Sequence, residues 1–177
     1  MDLLILFVIL IAVIMAIILI APLFIKKDYT IQREIIINRP RQEVFDYVKF
    51  LKNQDYFSKW VMTDPAMKKE FRGKDGTVGF VYAWDGNKKA GKGEQEITGM
   101  KEGERLDIEV RFAKPFESTA NTPMTIERLA EDQTKVIWGM NGQSKYPFNM
   151  MNLFMDSMLG KDLETSLVTL KNNLEKR

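Results

Sequence analysis

The amino-acid sequence predicts an α+β fold, in which a curved antiparallel sheet of about seven strands surrounds one long C-terminal helix. A transmembrane helix is predicted before this domain, and two short helices are predicted after the first strand. Three observations lead to this prediction: an uncharged N-terminal run, a middle section of alternating apolar and polar residues separated by turn signals, and leucines at helical spacing near the C-terminus.

The N-terminal run from Leu3 to Ile25 carries no charge and is long enough to cross a hydrocarbon core of about 30 Å. A cleaved signal peptide is the main alternative, but the run is too long, Asp2 is the only charge before it, and no small-residue cleavage site follows. The sequence therefore favours an anchor over residues 1–27 and a folded domain over residues 28–177. The pair Lys26–Lys27 follows the run, so the positive-inside rule predicts a single-pass membrane protein with its domain in the cytoplasm.

The elements between the anchor and the C-terminal helix are predicted from local patterns. Tyr29 to Ile37 forms the first strand, and Pro40 suits the first turn of the helix that follows. Asn53 to Trp60 predicts a second short helix, rich in aromatic residues. Six more strands are predicted at Lys68–Arg72, Val78–Trp84, Gly91–Met100, Leu106–Phe112, Glu117–Leu129 and Thr134–Gly142.

The C-terminal helix is predicted from five leucines whose spacing puts one apolar stripe on its surface. They are Leu159, Leu163, Leu167, Leu170 and Leu174. An antiparallel sheet with one apolar face needs a cover, and this helix is the element left to supply it. Gly160 costs about 1 kcal/mol relative to Ala inside a helix. It marks either a break or a close approach to the sheet, and we expect a break or kink.

Composition excludes several kinds of chemistry. The chain has no Cys and no His, which excludes disulfides, thiolate nucleophiles, Cys/His zinc sites and Ser-His-Asp triads. Its net charge of +2 comes from interspersed charges, without a basic block that would suggest nucleic acid. The sequence therefore predicts no cofactor, no metal site, no catalytic residue and no nucleic-acid partner.

Several stretches resemble the START and birch-pollen-allergen (SRPBCC) superfamily, in particular its polyketide cyclase/dehydrase-like members. The matching stretches are Ile36-Ile37-Asn38-Arg39-Pro40 with Val44 to Val48, Trp60, Gly76-Thr77-Val78-Gly79 with Tyr82 to Trp84, Thr134 to Trp138, and Leu163 to Leu174. They are spread over nearly all of the chain after the anchor, from about Tyr29 to Lys176. The resemblance implies a helix-grip fold with a cavity between sheet and helix that binds lipids, sterols, polyketides or other apolar molecules. It carries over no catalytic residue, because the superfamily has no shared catalytic motif.

The predicted binding site is the apolar face of the sheet, where aromatic residues, Met and a few polar groups come together. Ligand contacts are predicted for Phe80, Tyr82, Trp84, Gln95, Ile108, Val110, Phe112, Thr122, Met124, Trp138 and Met140, with Phe154, Met155, Met158 and Leu159 above them as a roof. Ile97, Leu106, Val136, Leu163 and the polar Ser118 belong to the same face. Alternation places Glu94, Glu96, Asp107, Glu109 and Arg111 on the opposite, solvated face.

Three hypotheses about function stay open, because an ordinary packed core would show the same periodicity. The leading one is a membrane-anchored module that binds a lipid or another hydrophobic small molecule. The second is an enzyme that acts on an apolar cyclic or polyketide-like substrate and uses Tyr82 or Gln95. The third is a structural membrane protein whose interior is filled by side chains.

Overall fold

The computed structural model describes residues 3–176, and its elements follow the predicted order. The α-helices are α1 (Leu3–Ile20), α2 (Arg41–Val48), α3 (Lys59–Met62) and α4 (Asn152–Glu175), and short 3-10 helices occupy Ala21–Phe24, Leu51–Tyr56 and Phe148–Met151. The strands are β1 (Asp28–Ile37), β2 (Lys68–Arg72), β3 (Val81–Asp85), β4 (Lys92–Lys101), β5 (Arg105–Lys114), β6 (Ser118–Asn121), β7 (Met124–Ala130) and β8 (Gln133–Gln143). The predicted α+β fold class is confirmed.

The strands form one antiparallel sheet of eight strands in the order β1-β8-β6-β5-β4-β3-β2, with β7 paired to β5 and β8. The predicted strand Glu117–Leu129 is two strands, because the chain turns at Thr122 and Pro123. Proline cannot donate to a strand ladder, and the Thr122 N–H bonds back to the carbonyl of Ile108 at 2.7 Å. The division allows β6 and β7 to pair with different parts of β5.

The first residues of the predicted strand Val78–Trp84 form a turn instead. Gly79 has a φ of 87°, a backbone conformation that favours glycine. The N–H of Phe80 donates to the carbonyl of Thr77, which closes the turn. The strand therefore starts at Val81, although Phe80 is still buried in the core.

Helix α4 lies against β1 and runs without interruption through Gly160. Four of its predicted stripe leucines, Leu163, Leu167, Leu170 and Leu174, are buried in the core, and Leu159 packs partly buried against it. The expected break or kink at Gly160 is wrong. The glycine is a point of close approach, since a Cβ at this position would clash with the guanidinium of Arg33 on β1.

Helix α1 is exposed along its whole length in the isolated chain, and it is long and apolar enough to cross a membrane. The terminal residues Met1, Asp2 and Arg177 lie outside the described residues. The part of the signal-peptide argument that uses Asp2 therefore stays sequence-based. Strand β1 begins at Asp28, directly after the pair Lys26–Lys27.

Candidate functional site

The predicted site residues of the central strands share one face of the sheet, here called the concave face. Strand pairing places Tyr82 opposite Gln95, Gln95 opposite Val110, and Met124 opposite Trp138. Nine of the eleven predicted sheet residues are buried: Phe80, Tyr82, Gln95, Ile108, Val110, Thr122, Met124, Trp138 and Met140. The other two, Trp84 and Phe112, are partly buried and pack edge to face at 6.0 Å between ring centroids.

Aromatic side chains from outside the sheet occupy the centre of the concave face. Phe57 and Trp60, which come from the connection after β1, each contact Trp138 edge to face with ring centroids 5.9 Å apart. Tyr47 of α2 packs on Phe57 at 6.2 Å. This aromatic cluster therefore lies over the middle of the predicted cavity.

The polar groups predicted to meet a ligand are bonded to the 3-10 helix Leu51–Tyr56. The Tyr82 hydroxyl donates to Asp55 Oδ1 at 2.8 Å, and the amide of Gln95 donates to Gln54 Oε1 at 3.1 Å. Lys69 forms an ion pair with Asp55 Oδ2 at 2.8 Å. Burial, and then the hydrogen bond to the Asp55 carboxylate, raises the pKa of Tyr82 far above its ordinary value of 10.0, so its hydroxyl keeps its proton at neutral pH.

Gln54, Asp55 and Lys69 were not predicted as site residues. The alternation of side chains along β2 could have predicted Lys69, because Lys69 pairs opposite Trp84 and therefore lies on the concave face. No sequence pattern predicts Gln54 and Asp55, because a short 3-10 helix has no regular repeat that shows which residues face the sheet. The two remaining polar groups differ in their surroundings. The Thr122 hydroxyl donates a long hydrogen bond of 3.4 Å to the carbonyl of Ile108, whereas Ser118 is exposed.

One buried polar group on the concave face lacks a partner within residues 3–176. The indole N–H of Trp138 is fully enclosed, and no acceptor lies within hydrogen-bond distance in that part of the chain. A buried donor left unpaired costs about 1–3 kcal/mol. An acceptor from a bound molecule at this point would remove that cost.

The roof differs from the predicted one in two of its four residues. Phe154 and Met158 are 61% and 56% exposed and point away from the sheet, whereas Met155 and Leu159 pack partly buried against the core. A helix advances about 100° per residue, so positions 155 and 159 share one side while positions 154 and 158 share another. The side that faces the sheet continues into Leu163, which fixes the rotation of the helix.

A surface pocket of about 400 Å³ lies between the start of β1 and the first turn of α4, and we call it the anchor-side pocket. It is lined by Phe24, Ile25, Lys26, Asp28, Tyr29, Thr30, Ile31, Asn152, Leu153, Met155 and Asp156. Tyr29 is half-buried there, and this burial raises the pKa of its hydroxyl. Met155 is the predicted site residue that belongs to this pocket.

The opposite face of the sheet carries charges, as predicted. Arg111 bonds to three carboxylates, those of Glu94, Glu96 and Glu109, at 2.9, 2.7 and 2.5 Å. These hydrogen bonds raise the pKa of Arg111, and the bond to Glu96 has the largest effect. A shallow pocket of about 830 Å³ lies over part of this network and reaches Trp84 and Phe112 at its edge. Its charged lining is typical of a solvated face.

Comparison with solved structures supports the fold despite low sequence identity. Norcoclaurine synthase from Thalictrum flavum, in complex with dopamine and hydroxybenzaldehyde, matches with a TM-score of 0.67 at 8% identity, covering 89% of this chain and 92% of that chain. Zhui aromatase/cyclase from Streptomyces sp. R1128 matches with a TM-score of 0.64 at 8% identity, covering 85% of this chain and 95% of that chain. Ara h 8.0201 matches with a TM-score of 0.58 at 12% identity, covering 85% of this chain and 99% of that chain. No protein-family model and no curated protein sequence matches the chain.

These matches, with the sheet and α4 described above, define the class of fold. The chain has the helix-grip fold of the START and birch-pollen-allergen (Bet v 1-like, SRPBCC) superfamily, as the sequence resemblance implied. The structures that share this fold include a synthase, an aromatase/cyclase and Ara h 8.0201, so the fold by itself does not select one activity.

Proposed function

We propose that this chain is a membrane-anchored module that binds a lipid or another hydrophobic small molecule. Residues 1–27 are the anchor in this proposal, and residues 28–177 are the binding domain. The domain lies on the cytoplasmic side, as the pair Lys26–Lys27 favours under the positive-inside rule. The helix-grip fold and the long apolar α1 are the two features that the proposal combines.

The observation that carries the proposal is the position of the anchor-side pocket. The pocket lies between β1 and α4 and is lined by Phe24 and Ile25, the last two residues of the apolar N-terminal run. Its volume of about 400 Å³ falls in the range of about 300–1,000 Å³ that small-molecule sites occupy. A molecule that leaves a bilayer beside α1 meets this pocket first, and burial of its apolar surface stabilises the complex by about 25 cal/mol per Å².

The anchor-side pocket adjoins the predicted site on the concave face. Ile31 lines the pocket, is buried in the core and pairs opposite Met140 on β8. Trp138 lies two residues further along β8, at a distance of about 7 Å. A largely apolar ligand that enters past Ile31 and Met155 and carries one acceptor at its inner end would place that acceptor near the unpaired Trp138 N–H. The half-buried hydroxyl of Tyr29 would bind the outer, polar end of the ligand.

Native mass spectrometry of the full chain in nanodiscs, followed by denaturation, tests this proposal. We expect release of a small apolar molecule from the native protein. Met155→Trp should fill the pocket and remove that molecule, while Met158→Trp, three residues away on the exposed side of α4, should keep it. Tyr29→Phe should weaken retention, and the exposed Tyr56→Phe should not.

Two results would contradict the proposal. One is a wild-type chain that releases no ligand and whose melting temperature is unchanged by a panel of lipids and sterols, which would favour a filled core. The other is equal ligand retention in Met155→Trp and Met158→Trp. Thermal melts of all four variants separate loss of ligand from loss of fold.

A second candidate is an enzyme on an apolar cyclic substrate, and the Tyr82–Asp55–Lys69 arrangement favours it. The Tyr82 hydroxyl is a protonated donor held by Asp55, and the side chains of Asp55 and Lys69 are 29% and 24% exposed. These are the groups through which proton transfer to a bound substrate would run. Condensation of dopamine with hydroxybenzaldehyde, the compounds bound in the norcoclaurine synthase structure, is a first assay. Turnover lost in Tyr82→Phe and retained in Tyr29→Phe would support the enzyme.

A further inference from the structure

The register of the sheet brings one end of its strands together beside the anchor. Pairing connects Asp28 with Gln143, Ser118 with Phe112, and Lys92 with both Lys114 and Asp85. The β3–β4 turn, the β5–β6 turn and the segment after β8 therefore all lie at the end where α1 joins β1. We call this end of the domain the anchor-side face.

Hydrogen bonds fix the anchor to this face. The side-chain amide of Asn149 donates to the carbonyls of Pro22 and Ile25 at 2.7 and 2.8 Å, and Asn149 is buried. The amide of Asn152 donates to the carbonyls of Lys26 and Lys27, both at 2.9 Å. These bonds satisfy carbonyls that follow the last turn of α1, so the connection holds the anchor-side face next to the end of the helix.

Two aromatic rings are exposed on this face. Phe116, in the β5–β6 turn, and Phe148, in the 3-10 helix before α4, are 70% and 60% exposed. Their ring centroids are 6.0 Å apart, although they come from separate segments of the chain. Nearby, the Tyr146 hydroxyl donates to the carbonyl of Leu19 in α1. The aromatic pair therefore lies close to the level at which α1 ends.

The same face carries a set of exposed lysines without carboxylate partners. They are Lys26, Lys27, Lys88, Lys89, Lys114 and Lys145, and none of them forms an ion pair with any carboxylate in the described chain. At the opposite end of the sheet, three basic residues are paired: Arg39 with Glu43, Arg41 with Glu104, and Lys49 with Asp46. These six lysines outnumber the described carboxylates without ion pairs at the anchor-side end, which are Asp28, Asp64 and Glu117, so the face carries a net positive charge.

We propose that the anchor-side face is a docking surface for anionic phospholipids, with the Phe116–Phe148 pair inserted at the boundary between headgroups and acyl chains. Lysines attract an anionic membrane surface, and exposed aromatic rings are stabilised at this depth. The bilayer is the occupant because α1 continues from this face and its end is hydrogen-bonded to it. The inference rests on the membrane anchoring in the proposed function, and it adds that the domain lies on the membrane in one orientation.

Spin labels on single cysteines test this proposal, since the chain has no natural Cys. The full chain is reconstituted in phosphatidylcholine vesicles with or without phosphatidylserine, with a label at Phe116→Cys or, at the far end, at the exposed Val78→Cys. With phosphatidylserine, the label at position 116 should be more accessible to oxygen than to a water-soluble nickel chelate. The label at position 78 should show the reverse.

Charge reversal supplies the matched comparison. Lys88→Glu with Lys89→Glu should make the position 116 label accessible to the chelate. Lys74→Glu with Lys176→Glu, the same charge change on exposed lysines at the far end, should leave it protected. Salt at about 1 M, where the screening length is about 3 Å, should weaken protection in the same way as the first pair.

The outcomes separate this inference from the anchoring on which it rests. Extraction of the chain by alkaline carbonate would show that α1 does not anchor it. A retained chain whose position 116 label stays chelate-accessible, or whose protection is the same with and without phosphatidylserine, would overturn the docking surface. Spin–spin broadening between labels at position 116 would assign the face to a second copy instead.

Discussion

The guanidinium of Arg33 on β1 lies directly over Gly160 in the first half of α4. Its two terminal nitrogens donate to the Asp156 carboxylate at 2.9 and 3.0 Å, one helical turn before the glycine. Gly160 is fully covered, and a side chain there would occupy the space of the guanidinium. The glycine thus allows β1 to hold the first half of α4 through a charged side chain while the helix stays continuous.

This arrangement predicts that the effect of Gly160→Ala depends on Arg33. In an Arg33→Ala background, we expect Gly160→Ala to raise the free energy of unfolding by about 1 kcal/mol, the difference in helix propensity. In the wild-type background the methyl group displaces the guanidinium from Asp156, so the gain should be smaller or reversed. Chemical denaturation of the four proteins in the double-mutant cycle measures this coupling.

Equal effects of Gly160→Ala in both backgrounds would contradict the close approach. Val168→Ala is a control for α4, since Val168 is exposed and far from Arg33 in the helix. Its effect should be the same with and without Arg33.

Tyr82→Phe tests the polar contact between the sheet and the 3-10 helix Leu51–Tyr56. The substitution removes the bond to Asp55 and leaves that carboxylate with Lys69, so we expect a loss of about 1.5–3 kcal/mol in unfolding free energy, the range for bonds to charged groups. Tyr56→Phe, which removes an exposed hydroxyl, should have no effect. Urea titration measures both, and a neutral Tyr82→Phe would mean that the bond contributes nothing in solution.

The lowered pKa of Glu94 predicts that the fold loses part of its stability in acid. Hydrogen bonds from Arg72 and then Arg111 hold the pKa of Glu94 below its ordinary value of 4.5. Because the folded pKa lies below the unfolded one, this contribution to stability is complete above about pH 4.5 and is lost as the pH falls through the lowered pKa. Glu94→Gln should therefore flatten the dependence of stability on pH below about 4.5.

The control for this experiment is Glu117→Gln, an exposed carboxylate that forms no ion pair with a described residue. Stability is measured by denaturant unfolding across the acid range. An unchanged pH profile in Glu94→Gln would show that the Arg72 and Arg111 bonds do not persist in solution.

Limited proteolysis tests the connection between anchor and domain. Asn149→Leu removes the side-chain donor from the carbonyls of Pro22 and Ile25, and of these two only Pro22 keeps a bond within the described chain, from the Ile25 N–H. Local opening at this point should therefore become easier. Trypsin should then cleave after Lys26 or Lys27 faster than in the wild type. Cleavage at Lys88 and Lys89 in the same sample is the internal reference. Equal acceleration at both places would indicate general unfolding instead.

The sequence alone determined the elements whose cause is local. Apolar length predicted α1, alternation predicted the strands and their solvated face, and the leucine spacing predicted α4. These patterns are direct consequences of the periods of 2.0 and 3.6 residues, so they can be read without knowing what each face contacts. The buried members of the concave face follow from the same rule.

Only the tertiary structure decided which side chains meet across the interior. Phe57 and Trp60 pack on Trp138 at the centre of the face, and the Asp55 carboxylate accepts a hydrogen bond from the Tyr82 hydroxyl. Gly160 leaves space for Arg33, which comes from a strand more than a hundred residues earlier. The rotation of α4 also turned Phe154 and Met158 outward, although the apolar run alone suggested a full roof. Periodicity defines the face of one element, whereas contacts between distant elements depend on packing and on the register of the whole sheet.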